Sequence, residues 1–363
     1  MEKIKKVLLF RIPMSICNFR CEYCYLAQRD EHYQGVQPKF KYSPEDVAKA
    51  CSKQRIGGLA YINFCADGET LLTKNIDEYI RLLAKEGHYI EIVTNMTVTP
   101  VIDKILNWPK ELLKHIEFKA SFHYLELKKR NLLEIYAKNV QNAWKAGASV
   151  NIEITPSDDL IPYIEEVKEF SLKYFGALPH LSIARNDTTN KIEYLTNLSQ
   201  EEYNQTWEQF DSEFWRFKKT IFGKYQNKYC YAGKWSAYVD LTTGIATPCY
   251  CGLTLGDVFA NPDKPFPESP IGKCGVAHCY NGHALMTLGL IPGNTSVRYG
   301  DIRDRQRDDG TNWLQPELKD FFNGKLEENN DELSMVNKSL EYAKSFSKRV
   351  INKMKQTFTT TNR

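Results

Sequence analysis

The chain has 363 residues and a nearly balanced charge, with 48 basic and 45 acidic side chains and a formal net charge of +3. This length can bury a large core, either as one domain or as one domain with a smaller addition. The near-neutral balance argues against a dedicated nucleic-acid-binding protein, and no apolar run approaches the ~20 residues of a membrane span. We therefore expect neither nucleic acid nor a membrane as a partner.

The N-terminal segment MEKIKKVLLFRIP places basic residues before a short apolar run, as a signal peptide does. It has no small-residue cleavage site and Arg11 interrupts the apolar run, so we interpret it as a first strand and expect a cytoplasmic protein. The sequence contains 10 cysteines. In a cytoplasmic chain they favour metal binding or catalysis over disulfide bonds.

Between residues 6 and 217 an apolar, strand-like run followed by a helix-like run recurs about six times. Strands are predicted at 7–12, 60–64, 89–94, 116–122, 150–155 and 180–184. Helices are predicted at 43–54, 74–87, 100–108, 131–147, 159–175 and 199–217. This alternation indicates an α/β fold of parallel strands with right-handed crossovers. Six units fit an incomplete, TIM-like (β/α)6 barrel better than a closed barrel of eight, with the active site at the carboxyl ends of the strands.

The composition changes after about residue 220. Glycine, proline, cysteine and aromatic residues dominate residues 221–315, where YAGKWSAYVDLTTGIATPC predicts a hairpin with its turn at Thr242-Thr243-Gly244. Residues 316–363 return to polar, helix-like sequence. We therefore predict a barrel over residues 1–220, a cysteine-rich domain over 221–315 and a helical segment over 316–363.

Three cysteines stand close together directly after the first predicted strand. Cys17, Cys21 and Cys24 form the pattern C-x3-C-x2-C. Thiolates are the natural ligands of iron–sulfur clusters, and a cubane normally takes four of them. Three from one loop would leave one iron open for a small molecule. The alternatives are a zinc site that borrows a fourth ligand such as His32, and reduced cysteines packed in a turn.

With Tyr23 directly before its third cysteine, the triplet resembles the C-x3-C-x-aromatic-C motif that follows the first strand in the radical S-adenosylmethionine (radical SAM) superfamily. The motif is highly specific, and the resemblance extends over roughly residues 5–217. It implies that the three cysteines hold a [4Fe–4S] cluster whose open iron binds the amino and carboxylate groups of SAM. It also implies reductive cleavage of SAM to a 5′-deoxyadenosyl radical, which takes a hydrogen atom from the substrate.

Further segments match the superfamily in chain order. The stretch FCADGETLL at 64–72 resembles the F-x-G-x-G-E-P element that contacts the methionyl ammonium of SAM, which implies that contact for Gly68 and Glu69. Ala66 replaces a glycine of that pattern and Thr70 replaces the proline. Because backbone and Glu69 make most of the contact, we expect it to survive both changes.

Other strand ends supply further candidate contacts to SAM. The resemblance implies that Tyr23 lies beside the adenine, that Asn95 belongs to a T-N element after the third strand, and that Ser121 makes a polar contact. Arg185, which ends the sixth strand, is a candidate to bind the SAM carboxylate or the substrate. Structural interpretations remain open, with Glu69 as a helix-start charge and Ser121 as an ordinary strand residue.

The second cysteine group begins with a C-x13-G-x4-C hairpin that runs from Cys230 to Cys249, with Gly244 permitting the tight turn. It resembles the start of the SPASM and twitch auxiliary domains, which hold two and one additional [4Fe–4S] clusters. The region lacks the C-x2-C-x5-C-x3-C run of SPASM, so the twitch type is the better match. This implies one auxiliary cluster on Cys230, Cys249, Cys274 and Cys279, although the last two are spaced more widely than is usual.

Three further residues are candidates for catalysis. Cys251 could replace a ligand of the auxiliary cluster, be a free thiol near the substrate, or pack in the core. Cys65, at the end of the second strand, could donate a hydrogen atom to a substrate radical or lie in the core. His123, at the end of the fourth strand, is a candidate for substrate contact or proton transfer.

The substrate is indicated only weakly. An auxiliary cluster would accept an electron from the substrate radical and give oxidation, whereas quenching by a thiol would give epimerisation. The segment VRYGDIRDRQRDDGTNW at 297–313 suits a small polar substrate such as a sugar or an aminoglycoside, or else forms a solvated, salt-bridged surface. We therefore expect a radical SAM oxidoreductase or epimerase that receives electrons from a donor such as flavodoxin or ferredoxin.

Two alternatives remain. One is a ribosomal-peptide maturase or another protein-modifying radical SAM enzyme, although the few residues before the first strand leave no room for an N-terminal winged-helix peptide-binding domain. The other is a non-catalytic metal-binding scaffold. The match at Gly68 and Glu69 argues against the scaffold, because a scaffold needs no contact to SAM.

Overall fold

The computed structural model describes residues 3–28, 33–188, 193–250, 253–274, 282–341 and 343. His32, Cys251 and Cys279, which the sequence made candidates for ligands or catalysis, lie outside these ranges. Within them, no helix is long and apolar enough to cross a membrane.

The strands and helices alternate along most of the chain. The strands are β1 (Ile4–Ile12), β2 (Leu59–Ala66), β3 (Tyr89–Thr94), β4 (Ile116–Ser121), β5 (Ser149–Ile154), β6 (His180–Leu181), β7 (Arg185–Asn186), β8 (Glu193–Tyr194), β9 (Ser236–Asp240), β10 (Ile245–Thr247) and β11 (Gly256–Asp257). The helices are α1 (Pro44–Ala50), α2 (Lys53–Ile56), α3 (Ile76–Lys85), α4 (Thr99–Leu106), α5 (Lys110–Leu113), α6 (Tyr124–Lys129), α7 (Leu133–Ala146), α8 (Ile164–Phe175), α9 (Gln200–Glu208), α10 (Glu213–Ile221), α11 (Gly282–Thr287), α12 (Tyr299–Arg303), α13 (Pro316–Asn323) and α14 (Leu326–Asn329).

One large sheet has the strand order β11-β10-β9-β1-β2-β3-β4-β5-β6, and β7 and β8 form a separate antiparallel pair. Strands β1 to β6 each pair in parallel with the next, as the sequence predicted. The carboxyl ends of these strands therefore meet at one edge of the sheet. The mixed α/β fold with a parallel sheet is thus confirmed.

The cysteine-rich region continues the same sheet. Strand β9 pairs in parallel with β1, with Ser236–Asp240 opposite Val7–Arg11, and β10 returns antiparallel to it. The predicted hairpin is confirmed, with Gly244 at φ 78° in its turn. The proposed boundary at residue 220 therefore does not separate two sheets, and the division into three parts stays a prediction.

Local signals explain where several helices begin and end. The Ser43 hydroxyl accepts a hydrogen bond from the Asp46 amide at 3.1 Å, and the Asp46 carboxylate accepts one from the Ser43 amide at 3.1 Å. This reciprocal cap starts α1 where the sequence predicted a helix start. Gly87 and Gly147 have positive φ and end α3 and α7, as glycine does at many helix ends.

Several sequence predictions differ from the structure, among them the helix predicted over 43–54, which is divided into α1 and α2. The sixth strand is limited to His180–Leu181, and the helix predicted over 199–217 is two helices. The break lies at Asp211, whose φ is 48°, and at Ser212, whose hydroxyl accepts hydrogen bonds from the amides of both Trp215 and Leu181 at 3.2 Å. Ser212 therefore starts α10 and also ties it to β6.

The sheet has a different core on each face because alternate residues of a strand point to opposite sides. Phe10 and Ile62 lie in the core that the sheet forms with helices of the α1–α8 region. Leu9 and Tyr61 lie on the opposite face, called here the inner face, in a second core that includes Phe322 of α13. Segments from the C-terminal part of the chain thus cover the inner face on the amino side of the strands.

Candidate active site

Cys17, Cys21 and Cys24 carry free, half-buried thiols on the loop after β1. Burial raises the pKa of Cys17 to about 11. Burial, together with the neighbouring Cys24 and Cys17, raises the pKa of Cys21 still further. The three thiols therefore lie within interaction range of one another, in surroundings that disfavour the uncompensated thiolates of Cys17 and Cys21. A bound metal centre supplies the positive charge that deprotonates such thiols.

The arrangement of donors fits a cluster better than a single ion. Among the described residues, no three Cys, His, Asp or Glu side chains form a group that could hold one metal ion. Thiols that ligate a cubane bind different irons and need not converge on one point, whereas zinc gathers four ligands at about 2.0–2.3 Å. Three thiols on one loop are therefore suited to an iron–sulfur cluster with one open position.

Hydrogen bonds to neighbouring strand ends hold the three-cysteine loop. The Asn95 side-chain amide donates to Asn18 Oδ1 at 2.7 Å, and the Asn18 amide donates to Thr97 Oγ1 at 2.8 Å. The Arg20 backbone amide donates to Glu126 Oε2 at 2.9 Å. The loop is therefore fastened both to the end of β3 and to α6. Sequence reasoning found Asn95 but missed Asn18 and Glu126, which carry no local signal for these long-range contacts.

Two predicted site residues, Tyr23 and His123, contact each other. The Tyr23 hydroxyl lies 2.7 Å from His123 Nδ1, and the Phe19 ring packs edge-on to the imidazole at 5.9 Å between centroids. Burial lowers the pKa of His123 to about 4, so the ring is neutral at physiological pH. The structure thus places His123 in the packing of the three-cysteine loop. A role in proton transfer and the adenine contact of Tyr23 stay predictions.

Glu69 joins the loops that follow β2 and β3. Its carboxylate is 2 % exposed and accepts hydrogen bonds from Thr94 Oγ1 at 2.6 Å, the Asn95 amide at 2.8 Å and the Leu71 amide at 3.0 Å. Burial raises its pKa, although these three donors act in the opposite direction. Glu69 is therefore a positioning residue for both loops, and its predicted contact to SAM stays a prediction.

Gly68 lies directly against the start of the three-cysteine loop. The Glu69 amide donates to the Ile16 carbonyl oxygen at 3.0 Å, and the Asp67 amide donates to the Ile12 carbonyl at 3.0 Å. A Cβ added at Gly68 would stand 2.2 Å from the Ile16 carbonyl oxygen. Only glycine allows this close backbone approach.

We therefore expect Gly68→Ala to lower the affinity for SAM by about tenfold or more, a loss of about 1.4 kcal/mol. The added methyl group meets backbone that cannot rotate away, so the two loops must separate. Equilibrium binding of SAM to the reconstituted protein measures the change. Gly324→Ala is the control, since its Cβ would meet its nearest atom at 3.2 Å, after α13 and outside the site. Equal affinities for the wild type and Gly68→Ala would contradict this account of the loop.

A buried charge cluster lies on the inner face. Arg303 of α12 is 0 % exposed and forms ion pairs with Glu91 at 3.0 Å, Glu117 at 2.6 Å and Glu153 at 2.5 Å, which lie on β3, β4 and β5. The Asn151 side chain donates to the Arg303 carbonyl oxygen at 2.5 Å. One guanidinium therefore joins three neighbouring strands.

The segment 297–313 is thus not a free substrate-binding surface. Arg303 is buried, whereas residues 301, 306 and 308–312 are exposed, as in the solvated surface that the sequence also allowed. Besides Arg303, Arg298 pairs with Glu328 at 2.6 Å, and Arg305 donates to the Phe210 carbonyl oxygen at 3.0 Å. Arg307 lies over the Trp144 ring at 4.6 Å. Arg303, Arg305 and Arg307 therefore hold this segment to the sheet, to Phe210 and to α7, whereas Arg298 pairs within the C-terminal part of the chain. The interpretation of this segment as the substrate site was wrong for Arg303, because the guanidinium is buried and already paired with three carboxylates.

The same cluster predicts a pH dependence of stability. Burial, together with the Glu91 carboxylate, raises the pKa of Glu117 to about 7, although Arg303 acts in the opposite direction. In the unfolded chain Glu117 ionises near its ordinary pKa of about 4.5, whereas in the folded chain it keeps its proton up to about pH 7. The contribution of Glu117 to wild-type stability is therefore present below about pH 4.5 and is lost as the pH rises to 7. The stability of the wild type relative to Glu117→Gln should therefore decrease across this window, measured by urea unfolding.

Glu166→Gln is the control, because its stability difference from the wild type should change with pH in the opposite direction. Hydrogen bonds from Lys128 and Tyr124 lower the pKa of Glu166, so its stabilising effect is present above its ordinary pKa and is lost as the pH falls. A difference between the wild type and Glu117→Gln that stays constant with pH would contradict the buried, proton-retaining state of Glu117.

Of the remaining predicted residues of the barrel, Cys65 and Ser121 lie at the carboxyl ends of strands, whereas Arg185 begins β7 and does not end the sixth strand. Cys65 is half-buried beside Arg11 in the register of β1 and β2, and burial raises its pKa to about 12. Ser121 is half-buried opposite Glu153 in the register of β4 and β5. Arg185 pairs with Asp187 at 2.9 Å and lies over the Tyr25 ring at 4.1 Å. Its guanidinium is therefore already charge-paired.

The second cysteine group lies beside the core of the inner face. Cys230 is buried in that core, and Cys249 and Cys274 pack against it. The Cys230 amide donates to the Gly272 carbonyl at 2.8 Å, and the Gly272 amide donates back at 3.0 Å, which brings the chain near Cys274 alongside Cys230. Cys251 and Cys279 lie outside the described residues. The ligand set of an auxiliary cluster stays a prediction.

Comparison with known proteins identifies the class of domain. Residues 12–155 match the family model described as the radical SAM superfamily. Over 92 residues the chain is 32% identical to UPF0026 protein MJ1312 of Methanocaldococcus jannaschii, a match that covers 24% of this chain and 28% of that relative. The match thus spans little more than a quarter of the relative's length.

Two solved structures share the fold. A histidine-tagged form of anSMEcpe with bound AdoMet is 16% identical and has a TM-score of 0.51 over 72% of this chain and 76% of that one. Native anSMEcpe with bound AdoMet and Cp18Cys peptide is 16% identical and has a TM-score of 0.50 over 72% of this chain and 80% of that one. At this identity the likeness concerns the fold alone.

Residues 12–155 are therefore similar to radical SAM domains, over less than half of the chain. Such a domain implies S-adenosylmethionine and a [4Fe–4S] cluster as cofactors, and the three-cysteine loop contains suitable ligands for that cluster.

Proposed function

We propose that this chain cleaves S-adenosylmethionine reductively at the three-cysteine loop and takes a hydrogen atom from a small polar substrate on the inner face of the sheet. The observation that carries the proposal is the meeting of three loops at the carboxyl edge. The loop with the cysteines, the loop with Gly68 and Glu69, and the loop with Asn95 are bonded to one another. A bound cluster with SAM supplies the one-electron chemistry that begins hydrogen abstraction.

The chain's own residues hold and orient the bound groups in this proposal. Cys17, Cys21 and Cys24 ligate the cluster. Gly68 lets backbone approach closely, and the buried Glu69 fixes the loops that flank it. Preorganised loops of this kind lose little entropy when the ligand binds, which favours affinity.

An auxiliary cluster is the proposed electron acceptor. The supporting observation is that Cys230, Cys249 and Cys274 all contact the core of the inner face. A fourth ligand would come from Cys279 or Cys251. Electrons from the substrate radical would then leave through this cluster, giving net oxidation, with a flavodoxin- or ferredoxin-type protein as the external partner.

Cys65 provides the alternative outcome. Because its pKa is raised to about 12, its thiol keeps its hydrogen at neutral pH. A thiol on the inner face could return a hydrogen atom to the substrate radical and give epimerisation. The thiyl radical left behind would take one electron from the same external donor and one proton from water to restore the thiol. Cys65→Ser would separate the two outcomes, since it should block epimerisation and leave oxidation intact.

A peptide substrate is the second candidate. It is favoured by the shared fold with anSMEcpe, whose structure contains the Cp18Cys peptide. The segment 297–313, which suggested a sugar-like substrate in the sequence, is occupied by contacts within the chain. Addition of separated small-molecule and peptide fractions to the reduced enzyme would discriminate, since the fraction that contains the substrate should accelerate release of 5′-deoxyadenosine.

The test of the proposed function is reductive cleavage of SAM. The protein is reconstituted anaerobically with iron and sulfide, reduced with dithionite and incubated with SAM, and 5′-deoxyadenosine and methionine are quantified. We expect both products in equal amounts, only when reductant is present. A fully loaded, reduced protein that forms no 5′-deoxyadenosine would overturn the proposal.

A further inference from the structure

A group of cations lies on the inner face near the carboxyl ends of the strands, beside the loop that we assign to the cluster. The Arg11 guanidinium pairs with Asp67 and that of Arg185 with Asp187. The Lys119 ammonium pairs with Glu153 at 3.1 Å, and its side chain is 17% exposed. Each of these cations thus has a carboxylate partner within the chain.

Lys218 is different. No hydrogen bond or ion pair of its ammonium group exists among the residues that the structure describes. The nitrogen lies 4.9 Å from the centre of the Phe214 ring, one helical turn earlier on α10. Phe214 is buried in the inner-face core, where its ring lies 5.5 Å from the Arg303 guanidinium. Lys218 therefore lies on the side of α10 that faces the inner face of the sheet.

The groups that surround Lys218 define where its ammonium lies. It interacts electrostatically with Glu153, Lys119, Arg303 and Arg185. Burial, together with the positive charges of Lys119, Arg303 and Arg185, lowers the pKa of Lys218 to about 7. The Glu153 carboxylate acts in the opposite direction but does not offset these effects. The protonated form of Lys218 is therefore disfavoured in these surroundings, and an incoming anion would stabilise it by supplying a counter-charge.

Lys119 links this position to the candidate active site. It interacts electrostatically with the Cys65 thiol, and Cys65 in turn interacts with Tyr25, the residue after the cluster cysteine Cys24. Lys119 therefore lies within electrostatic range of Cys65 at the carboxyl end of β2, and Lys218 lies within range of Lys119. The single charge of Glu153 is shared, because its Oε1 atom already contacts Lys119 and Arg303.

We propose that Lys218, together with Lys119, binds an anionic group of the substrate, a carboxylate or a phosphate, on the inner face of the sheet. The identification of this ligand as the substrate rests on the proposed function, whereas the anion site itself does not. Two ammonium groups from different elements, β4 and α10, would fix the anion between the strands and the helix that covers their edge. The substrate carbon next to that anion would then be held at the carboxyl edge of the sheet.

The test is residue-resolved acetylation of the full chain, reconstituted but not reduced. Trace acetic anhydride at pH 7.5 acylates neutral amines, and mass spectrometry gives the rate at each lysine. Inorganic phosphate and, separately, acetate at twice their dissociation constants should slow the labelling of Lys218 about threefold by mass action. Chloride at equal ionic strength should leave it unchanged. Lys49, whose side chain is 62% exposed, is the internal control and should show no such protection.

The variants identify which lysine binds. Lys218→Met should abolish the protection of Lys119, whereas Lys218→Arg, which keeps the positive charge, should retain it. Lys49→Met is the matched surface control. Protection by phosphate alone would support a phosphorylated substrate, and protection by acetate alone a carboxylic acid.

Three results would overturn the proposal. They are no protection by either anion, protection of Lys119 that survives Lys218→Met, and protection by SAM in place of the two anions, which would assign the site to the SAM carboxylate. None of these measurements requires cleavage of SAM. Failure of the anion site and failure of the proposed function are therefore separate outcomes.

Discussion

Replacing Cys21 by alanine should abolish reductive cleavage of SAM. Cys21 is the cysteine in the middle of the loop, and its thiol interacts with both Cys17 and Cys24. With two thiolates left, the loop cannot hold a site-differentiated cubane. We expect formation of 5′-deoxyadenosine to fall by about a thousandfold or more, since the hard chemistry belongs to the bound cofactor.

Cys51→Ala is the matched control for this variant. Cys51 is 0 % exposed, follows α1 and packs in the core on the helix-covered face. Its loss removes one cysteine and leaves the three-cysteine loop unchanged. Cys51→Ala should keep its iron content and its cleavage rate. A Cys21→Ala protein that still cleaves SAM at the wild-type rate would remove the loop from the proposed mechanism.

Replacing Arg303 by methionine should cause the largest loss of stability. Above about pH 7, where Glu117 is also ionised, the substitution leaves three carboxylates, those of Glu91, Glu117 and Glu153, buried side by side without the cation that joins them. Removing one partner of a buried ion pair typically costs about 3–5 kcal/mol, because the remaining charge stays desolvated. We expect a decrease of about 4 kcal/mol in the free energy of unfolding, measured with urea.

Arg298→Met is the surface counterpart. Arg298 pairs with Glu328, but the two side chains are 37% and 43% exposed, so the variant should lose less than about 1 kcal/mol. Arg303→Lys keeps the charge but loses the forked geometry, and it should lie between the wild type and Arg303→Met. Equal stability of Arg303→Met and Arg298→Met would contradict the structural role assigned to the buried cluster.

The parallel sheet was predictable from the sequence because its strands are predominantly apolar runs that alternate with helix-like segments. The prediction of a strand at 89–94 coincides with β3, and five of its six residues are buried. Strands covered on both faces have this composition, and the helix between each pair sets the order. Spacing of the cysteines after β1 likewise predicted the candidate cluster loop without knowledge of any long-range contact.

The attachment of the C-terminal region could not be predicted in the same way. Pairing of β9 with β1 joins residues more than 200 positions apart, such as Phe10 and Val239. No local pattern in either strand specifies this partner. The break between α9 and α10, by contrast, has a local signal in Ser212, a helix-capping residue within an otherwise amphipathic run.

In the candidate site, too, some residues have a local sequence signal and others are placed only by long-range contacts. Cys17, Gly68 and Glu69 could be found because their spacing is distinctive. Glu126 supports the three-cysteine loop through a hydrogen bond to a residue 106 positions away. Lys218 reaches the inner face only because α10 turns at Ser212 towards β6. Supporting residues of this kind are set by tertiary contacts, which a single sequence does not encode locally.

The most direct test of the central claim is the iron and sulfide content after anaerobic reconstitution. Wild-type protein is compared with the variant in which Cys17, Cys21 and Cys24 are all alanine. The account predicts that the variant binds about four fewer irons per chain, from about eight to about four if the auxiliary cluster is also present. Equal iron in the two proteins, or stoichiometric zinc in place of iron, would contradict it.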